Sequence, residues 1–204
     1  VAMGTSLPEC AVSVAASVTN NNALAVSNAV GSNIFNLMVV CGICALIVPL
    51  TVQVGTLKKE FPFSVFCALL LLALGYLGMN LGHTEGIILI LIFVCYLLWM
   101  IFSALKARRE AVEEEIDTFP AWKCIVYIIG GAAAIKFGGD FVVDGATMVA
   151  RSFGLTQILI GLTVVALGTS LPELVTSIVA AKKNELDMAV GNVVGSNIFN
   201  ILLV

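Results

Sequence analysis

One segment of about 40 residues occurs twice in this chain. The run VAMGTSLPE (residues 1–9) returns as VALGTSLPE (165–173), and AVSNAVGSNIFN (25–36) returns as AVGNVVGSNIFN (189–200). Both pairs are offset by the same 164 residues, without a gap. Self-similarity over this length indicates a duplicated structural unit. The chain must therefore fold into two related halves, each built around one copy.

The rest of the chain is too apolar for a water-soluble domain. Hydrophobic residues make up 60% of it and charged residues 11%, against roughly 45–50% and about 25% in soluble domains. The apolar runs are roughly 20 residues long and do not alternate, which favours membrane-spanning helices over barrel strands. We therefore predict an all-α fold, a polytopic transmembrane helical protein in a lipid bilayer.

Loop charges orient the predicted spans. The spans are expected at residues 6–20, 23–49, 62–80, 84–105, 121–149, 154–181 and 186–204. Lys and Arg gather in three connections, namely the 50s loop, the 106–123 segment and the 182–187 turn, which the positive-inside rule places in the cytoplasm. The helix after the first motif then runs outward and the helix after the second runs inward. The two copies are thus predicted to form an inverted repeat, as in secondary transporters.

The same pattern divides the chain into parts. Residues 1–105 form an N-terminal half, residues 106–120 a charged cytoplasmic linker, and residues 121–204 a C-terminal half. The chain starts and stops inside the repeated motifs, so we expect a fragment with both halves truncated. Two symmetric halves would give an intact protein of about 310 residues.

The first motif is predicted to break its helix. Pro8 has no backbone N–H, and its ring clashes with the carbonyl of Gly4. Carbonyls freed at membrane depth are tolerated only beside a cavity or an ion. Thr5, Glu9 and Ser13 follow at a spacing of four, which places them on one helix face. The second copy repeats this arrangement with Thr169, Ser170, Pro172, Glu173 and Ser177.

The second motif adds a polar stripe to an apolar helix. Asn28, Ser32 and Asn36 share one face, and their counterparts are Asn192, Ser196 and Asn200. Glycines in the motif, Gly31 and Gly195, allow another backbone to approach closely. All the donors in both motifs are oxygens, without thiolate or imidazole. Such hard ligands suit Na⁺ and Ca²⁺ and argue against zinc or copper.

Charge balance indicates that the counter-charge is mobile. A charged group at the bilayer centre costs roughly 3 kcal/mol or more and normally has a partner. Lys136 is the only cation deep in a predicted span, and Asp140 is its local partner. Glu9 and Glu173 are left to metal ions or protons. Two carboxylates balance one Ca²⁺ or two Na⁺ in turn, which is a physical basis for exchange.

Two other classes of function were weighed. A membrane enzyme would need a nucleophile–base pair or a dedicated metal set, and the only histidine, His83, is expected in a short outer loop. A structural protein would use the repeats for packing alone, which leaves two buried glutamates unexplained. The six cysteines lie mostly in apolar runs and are predicted to be free. No nucleotide-binding loop, cofactor, nucleic acid or protein partner is indicated.

With both motifs present twice, the chain resembles the calcium/cation antiporter superfamily, and above all its prokaryotic sodium/calcium exchanger family. The resemblance covers both repeats and the run from Gly138 to Glu173. It implies ten helices in two inverted halves, no enzymatic activity, and a multi-pass protein of the prokaryotic inner membrane. It also implies exchange of Na⁺ for Ca²⁺, with a Ca²⁺/H⁺ or K⁺-dependent Na⁺/Ca²⁺ antiporter as the alternative.

The resemblance also implies the roles of single residues. Ca²⁺ would be bound by the carboxylates of Glu9 and Glu173 and by the carbonyls of Thr5 and Thr169. Na⁺ sites would be lined by four hydroxyls and two carbonyls, those of Ser6, Ser170, Ser32, Ser196, Ala2 and Ala166. Asn36 and Asn200 would close the middle of the cluster. Potassium-dependent members have Asp at the position of Asn200, so this asparagine argues against K⁺ co-transport.

Overall fold

The computed structural model describes residues 1–19, 22–78, 81–110, 120–155, 164 and 166–203, and these are helical with short connections and without strands. In chain order the helices are α1 (Ala2–Thr5), α2 (Leu7–Val18), α3 (Asn22–Phe35), the π-helix π1 (Asn36–Val40), α4 (Cys41–Ile47), the π-helix π2 (Thr56–Glu60), α5 (Phe61–Gly78), α6 (His83–Glu110), α7 (Ala121–Ser152), α8 (Ala166–Thr169), α9 (Leu171–Lys182) and α10 (Leu186–Leu203).

The fold class predicted from composition is confirmed. Among the described residues, the segments Ala25–Ile47, His83–Lys106 and Leu186–Leu203 are long and apolar enough to cross a membrane. Leu7–Val18 and Ala121–Gly131 are shorter apolar helices. The protein is an all-helical integral membrane protein, because so much apolar helix surface requires lipid around it.

Both copies of the first motif break their helix at the same place. Ser6 separates α1 from α2 with φ −87° and ψ 8°, and Ser170 separates α8 from α9 with φ −89° and ψ 4°. In each copy the proline is the second residue of the helix that follows, where a missing N–H costs nothing. The prediction of a proline-broken helix is correct for both repeats.

Three boundaries differ from the predicted spans. The predicted 50s loop is partly helical, since Lys58 and Lys59 lie in π2, which continues directly into α5. His83 begins α6 and is exposed, so it is not a loop residue. α6 also continues to Glu110, into the predicted linker. Charged residues at a helix end are read as loop by hydropathy, although Lys, Arg and Glu are good helix formers.

Some predictions fall on residues outside the described set. These are most of the linker (111–119), the middle of the predicted span 154–181 (156–163), and the side chains of Lys136, Asp140 and Ala166. The division into halves and a linker, and the Lys136–Asp140 pair, therefore stay predictions.

A tight turn makes α9 and α10 antiparallel neighbours. Asn184 adopts a left-handed conformation with φ 63°, and the N–H of Glu185 donates to the carbonyl of Ala180 at 2.9 Å. This is the glycine-like helix termination in which asparagine is also tolerated. The chain reverses at once, so α10 packs along α9.

The apolar core surrounds α10. Its outer face packs against α5 and α6, where Phe93 meets Phe199 edge-to-face at 5.5 Å between ring centroids. A second cluster, formed by Val40, Cys44, Ala181 and Val193, joins π1 and α4 to α9 and α10. None of the six cysteines forms a disulfide. The core thus fixes the second repeat from outside and leaves its inner face to the polar residues of the motifs.

Candidate cation site

The polar side chains of both motifs are buried together where the two repeats meet. α10 packs against α1, α3 and π1, and α9 packs against π1. The buried predicted site residues are Thr5, Ser6, Glu9, Ser32, Asn36, Thr169, Ser170, Glu173, Ser196 and Asn200. Two acids and many hydroxyls and amides at an apolar helix crossing are costly unless they are paired or bind ions.

Hydrogen bonds between the serines and the glutamates cross from one repeat to the other. The hydroxyl of Ser6 donates to Oε1 of Glu173 at 2.7 Å, and the hydroxyl of Ser170 donates to Oε1 of Glu9 at 2.9 Å. Within the second repeat, Ser196 also donates to Oε1 of Glu173 at 3.3 Å. Each acid is thus positioned by the opposite half of the chain.

The helix break in the first motif leaves one backbone carbonyl without its helical donor. Pro8, four residues after Gly4, has no N–H, so the carbonyl of Gly4 has no backbone donor at that position. The predicted role of the Thr5 carbonyl as a Ca²⁺ ligand stays a prediction. The carbonyl of Ala2 differs, because it accepts the N–H of Ser6 at 3.0 Å and the hydroxyl of Thr5 at 3.0 Å.

Two buried asparagines brace the acidic helices from behind. Nδ2 of Asn28 donates to the carbonyl of Glu9 at 3.2 Å and to Oγ of Ser13 at 3.3 Å. In the second repeat, Nδ2 of Asn192 donates to Oγ of Ser177 at 3.2 Å. The polar stripe predicted on each partner helix therefore faces protein, not lipid.

Two further asparagines of the second motif, which were not predicted as site residues, contact the predicted ones. Nδ2 of Asn36 donates to Oδ1 of Asn197 at 3.2 Å, and Nδ2 of Asn200 donates to Oδ1 of Asn33 at 3.2 Å. Asn33 and Asn197 are not in the series at spacing four, although each lies three residues before Asn36 or Asn200 and so near the same helix face. Their presence in both copies of GSNIFN was the signal that could have identified them.

Several oxygens of the site are buried without a hydrogen-bond partner. Within the described part of the chain they are Oε2 of Glu9, Oε2 of Glu173, Oγ of Ser32, and Oδ1 of Asn28, Asn36 and Asn200. A buried polar atom left unpaired costs about 1–3 kcal/mol, more when it is charged. So many unpaired acceptors in one buried centre are explained by a ligand that supplies positive charge.

That charge does not come from a described side chain. Among the interactions of Glu9 and Glu173 with described residues, none involves Lys or Arg. The lysines and arginines whose side chains are described lie at the surface, with Lys123 half-buried. The described residues also hold no cluster of three or more His, Cys, Asp or Glu. The donor set therefore fits hard cations bound by oxygen and does not fit a soft metal.

A close backbone contact joins the two repeats next to the site. A methyl group on Gly195 would lie 2.9 Å from Cβ of Ala2. Only glycine allows α10 to approach α1 this closely, as predicted for this position. The contact brings Ser196 to the carboxylate that Ser6 also reaches.

Comparison with known proteins gives a consistent result. The family model described as sodium/calcium exchanger protein matches residues 1–102 and 123–204. The inner membrane protein YrbG of Escherichia coli is 38% identical over the whole chain, which covers 65% of YrbG. The sodium/calcium exchanger MaX1 of Methanosarcina acetivorans is 29% identical over the whole chain, which covers 69% of MaX1.

A solved structure agrees in fold as well as in sequence. The sodium/calcium exchanger from Methanococcus jannaschii superimposes with a TM-score of 0.77 at 33% identity, over 99% of this chain and 65% of that one. The chain thus spans about two thirds of the length of these relatives. With both motifs matched in sequence and in three dimensions, the chain belongs to the sodium/calcium exchanger protein family.

Proposed function

We propose that the intact protein is a sodium/calcium antiporter that exchanges Na⁺ for Ca²⁺ across the prokaryotic inner membrane by alternating access. The observation that carries this proposal is the set of buried, unpaired oxygens around Glu9 and Glu173. Two carboxylates balance either one Ca²⁺ or two Na⁺, so one centre serves both ions in turn. No covalent chemistry and no resident cofactor are required.

The number of unpaired oxygens favours metal ions over protons. A proton is satisfied by a single carboxylate oxygen, whereas Ca²⁺ takes about 6–8 oxygen ligands. Here unpaired oxygens come from a serine and three asparagines as well as from the acids. Protons alone would leave the oxygens of Ser32, Asn36 and Asn200 unexplained.

The ligands are assigned on the same basis. Glu9 and Glu173, with the carbonyls of Thr5 and Thr169, would bind Ca²⁺. The hydroxyls of Ser6, Ser170, Ser32 and Ser196 and the carbonyls of Ala2 and Ala166 would line the Na⁺ sites. Two of these serines, Ser6 and Ser170, donate to a carboxylate in this structure and would turn their oxygens toward Na⁺ when it binds. Asn36 and Asn200 would face the middle of the cluster of cation sites.

Relatives support Na⁺ as the coupling ion. MaX1 and the Methanococcus jannaschii protein are both named sodium/calcium exchangers. The competing functions are a Ca²⁺/H⁺ antiporter and a K⁺-dependent exchanger. Asn200 argues against the K⁺-dependent exchanger, because an amide supplies no additional negative charge for a further cation.

The test is ⁴⁵Ca²⁺ uptake into liposomes that contain the full-length protein. Gradients of Na⁺, K⁺ and H⁺ are applied one at a time, with the membrane potential clamped. We expect Ca²⁺ uptake to follow the Na⁺ gradient and to be indifferent to K⁺ and to pH gradients. Uptake that follows the pH gradient and ignores Na⁺ would replace the proposal with Ca²⁺/H⁺ exchange.

A further inference from the structure

We infer that Asn33 and Asn197 are positioning residues that turn the amide oxygens of Asn36 and Asn200 toward the transported cation. The inference rests on the proposed function, because it treats Asn36 and Asn200 as cation ligands. It adds two residues outside the predicted ligand set, and each orients one asparagine of the opposite repeat.

The amide contacts pair the repeats crosswise. Nδ2 of Asn36, in π1, donates to Oδ1 of Asn197 in α10, and Nδ2 of Asn200, in α10, donates to Oδ1 of Asn33 in α3. Both distances are 3.2 Å. Asn36, Asn197 and Asn200 are fully or almost fully buried, at 0%, 2% and 0% exposure. Asn33 is half-buried, so water is excluded from the Asn36–Asn197 pair and, in the other pair, from the Asn200 end.

An amide needs such a partner to act as a cation ligand. Its oxygen accepts and its NH₂ group donates, and a half-turn about the last side-chain bond exchanges the two. Toward a cation the oxygen is attractive, whereas the NH₂ group is repulsive. An acceptor that holds the NH₂ group therefore decides which face the ion meets. Oδ1 of both Asn36 and Asn200 is buried and unpaired, as this orientation requires.

A third contact fixes one of the positioning residues. Nδ2 of Asn33 donates to the backbone carbonyl of Asn197 at 3.1 Å. This bond turns Oδ1 of Asn33 toward Asn200, because its NH₂ group is already held by α10. The backbone is its acceptor, so the bond survives any side-chain change at Asn197. A side-chain change at Asn197 therefore perturbs one crossed pair and leaves the other in place, whereas a change at Asn33 removes both an acceptor for Asn200 and a donor to α10.

The experiment is a set of double-mutant cycles read by equilibrium ⁴⁵Ca²⁺ binding to the purified full-length protein in detergent. Asn197→Leu removes the acceptor for Asn36 at similar volume, and Asn33→Leu removes the acceptor for Asn200. Each is combined with Asn36→Ala and, separately, with Asn200→Ala. Binding is measured instead of transport, so the result does not depend on which ion drives exchange.

Asn197→Leu alone should raise the Kd for Ca²⁺ by roughly 10–100-fold, the usual cost of losing a group that orients a metal ligand. In the Asn36→Ala background it should add no more than about twofold, because no amide is left to orient. In the Asn200→Ala background it should keep its full effect. Asn33→Leu should lose most of its effect in the Asn200→Ala background and keep it in the Asn36→Ala background; the part that remains with Asn200→Ala measures the lost bond to the Asn197 carbonyl. Asn197→Asp keeps an acceptor oxygen and should retain most of the affinity that Asn197→Leu loses.

The alternative is that Asn33 and Asn197 serve only helix packing. Each leucine variant would then lower the Tm and leave the Kd for Ca²⁺ unchanged, or raise the Kd equally in both alanine backgrounds. Either result would overturn the inference. Should Asn197→Leu not fold, Asn197→Ser withdraws the acceptor with less bulk and enters the same cycle. A wild-type protein that binds Ca²⁺ without exchanging it for Na⁺ would refute the proposed Na⁺ coupling. The double-mutant cycles would still test the positioning role, because they measure Ca²⁺ binding alone.

Discussion

The two repeats have nearly the same motifs but are covered to different extents in this chain, which spans about two thirds of the length of its relatives. Among residues 189–203 of the second repeat 12 are buried, against 5 among the equivalent residues 25–39 of the first repeat. α10 is covered by α5 and α6. Its counterpart exposes large apolar side chains, Val30, Ile34, Leu37 and Met38.

The polar site residues are buried to the same extent in both repeats. Ser32 and Ser196 are both fully buried, and so are Asn36 and Asn200. The crossed serine–glutamate bonds also have similar lengths, 2.7 and 2.9 Å. The outer cover of a repeat therefore does not build its half of the site. Contacts between the repeats do so, which means that changes at paired positions should have paired effects.

The largest effect should come from the acids. Glu9→Gln and Glu173→Gln each remove one of two negative charges, and each should lower ⁴⁵Ca²⁺ uptake by roughly a hundredfold, equivalent to about 3 kcal/mol. Glu185→Gln, in the exposed turn before α10, is the matched control and should transport normally. Equal losses at the two sites support the symmetry, whereas a variant with wild-type uptake would break it.

The serines should come next. Ser6→Ala and Ser170→Ala each remove a hydrogen bond to the acid of the opposite repeat, and such bonds to charged groups contribute about 1.5–3 kcal/mol. In both variants we expect the affinity for at least one of the two ions, Ca²⁺ and Na⁺, to fall by about tenfold or more. The measurement is equilibrium ion binding to the full-length protein. Ser17→Ala, exposed on α2, should change nothing. A loss confined to one repeat would contradict crossed support.

The close contact between the repeats is the third test. Gly195→Ala places a methyl group 2.9 Å from Cβ of Ala2, so it should destabilise the protein by about 1–3 kcal/mol and lower its Tm. Gly191→Ala, on the same helix, has nothing within 4 Å and should stabilise it slightly. Thermal unfolding of both purified variants decides the point. Equal Tm values would mean that the contact adjusts without cost.

The smallest effect concerns a difference between the copies. Nδ2 of Asn192 donates to Oγ1 of Thr176 at 3.0 Å, and the position equivalent to Thr176 in the first repeat is Val12. Thr176→Val makes the second repeat like the first, and should cost about 0.5–1.5 kcal/mol of stability. Exchange activity should stay at the wild-type level. A large loss of uptake would show that the repeats are less equivalent than their burial suggests.

Much of this arrangement was predictable because the two copies of the repeat can be aligned with each other within one sequence. Duplication identified Glu9, Glu173 and the serines without any relative. Pro8 and Pro172 located the helix breaks to within two residues, since a missing N–H has a fixed consequence. The oxygen-only donor set followed from residue types alone.

Side-chain direction was less predictable. Spacing at four residues groups side chains on one face, but it does not show which side chain of another helix they meet. Asn33 and Asn197 were missed for this reason. The carbonyl of Ala2 was expected to be free, yet the hydroxyl of Thr5 turns back onto it. The extension of π2 and α5 through Lys58 and Lys59 was hidden because charges at a helix end look like loop to a hydropathy average.

The crossed bonds between Ser6 and Glu173 and between Ser170 and Glu9 constrain how such a gene can diverge after duplication. A mutation of the serine in one copy removes a hydrogen bond to the glutamate of the other copy. Neither copy can therefore acquire a new function while the other keeps the original one. Selection acts on the two as a single inherited unit. Substitutions at the serine of one copy should therefore be accompanied, across descendants, by changes at the acid of the other.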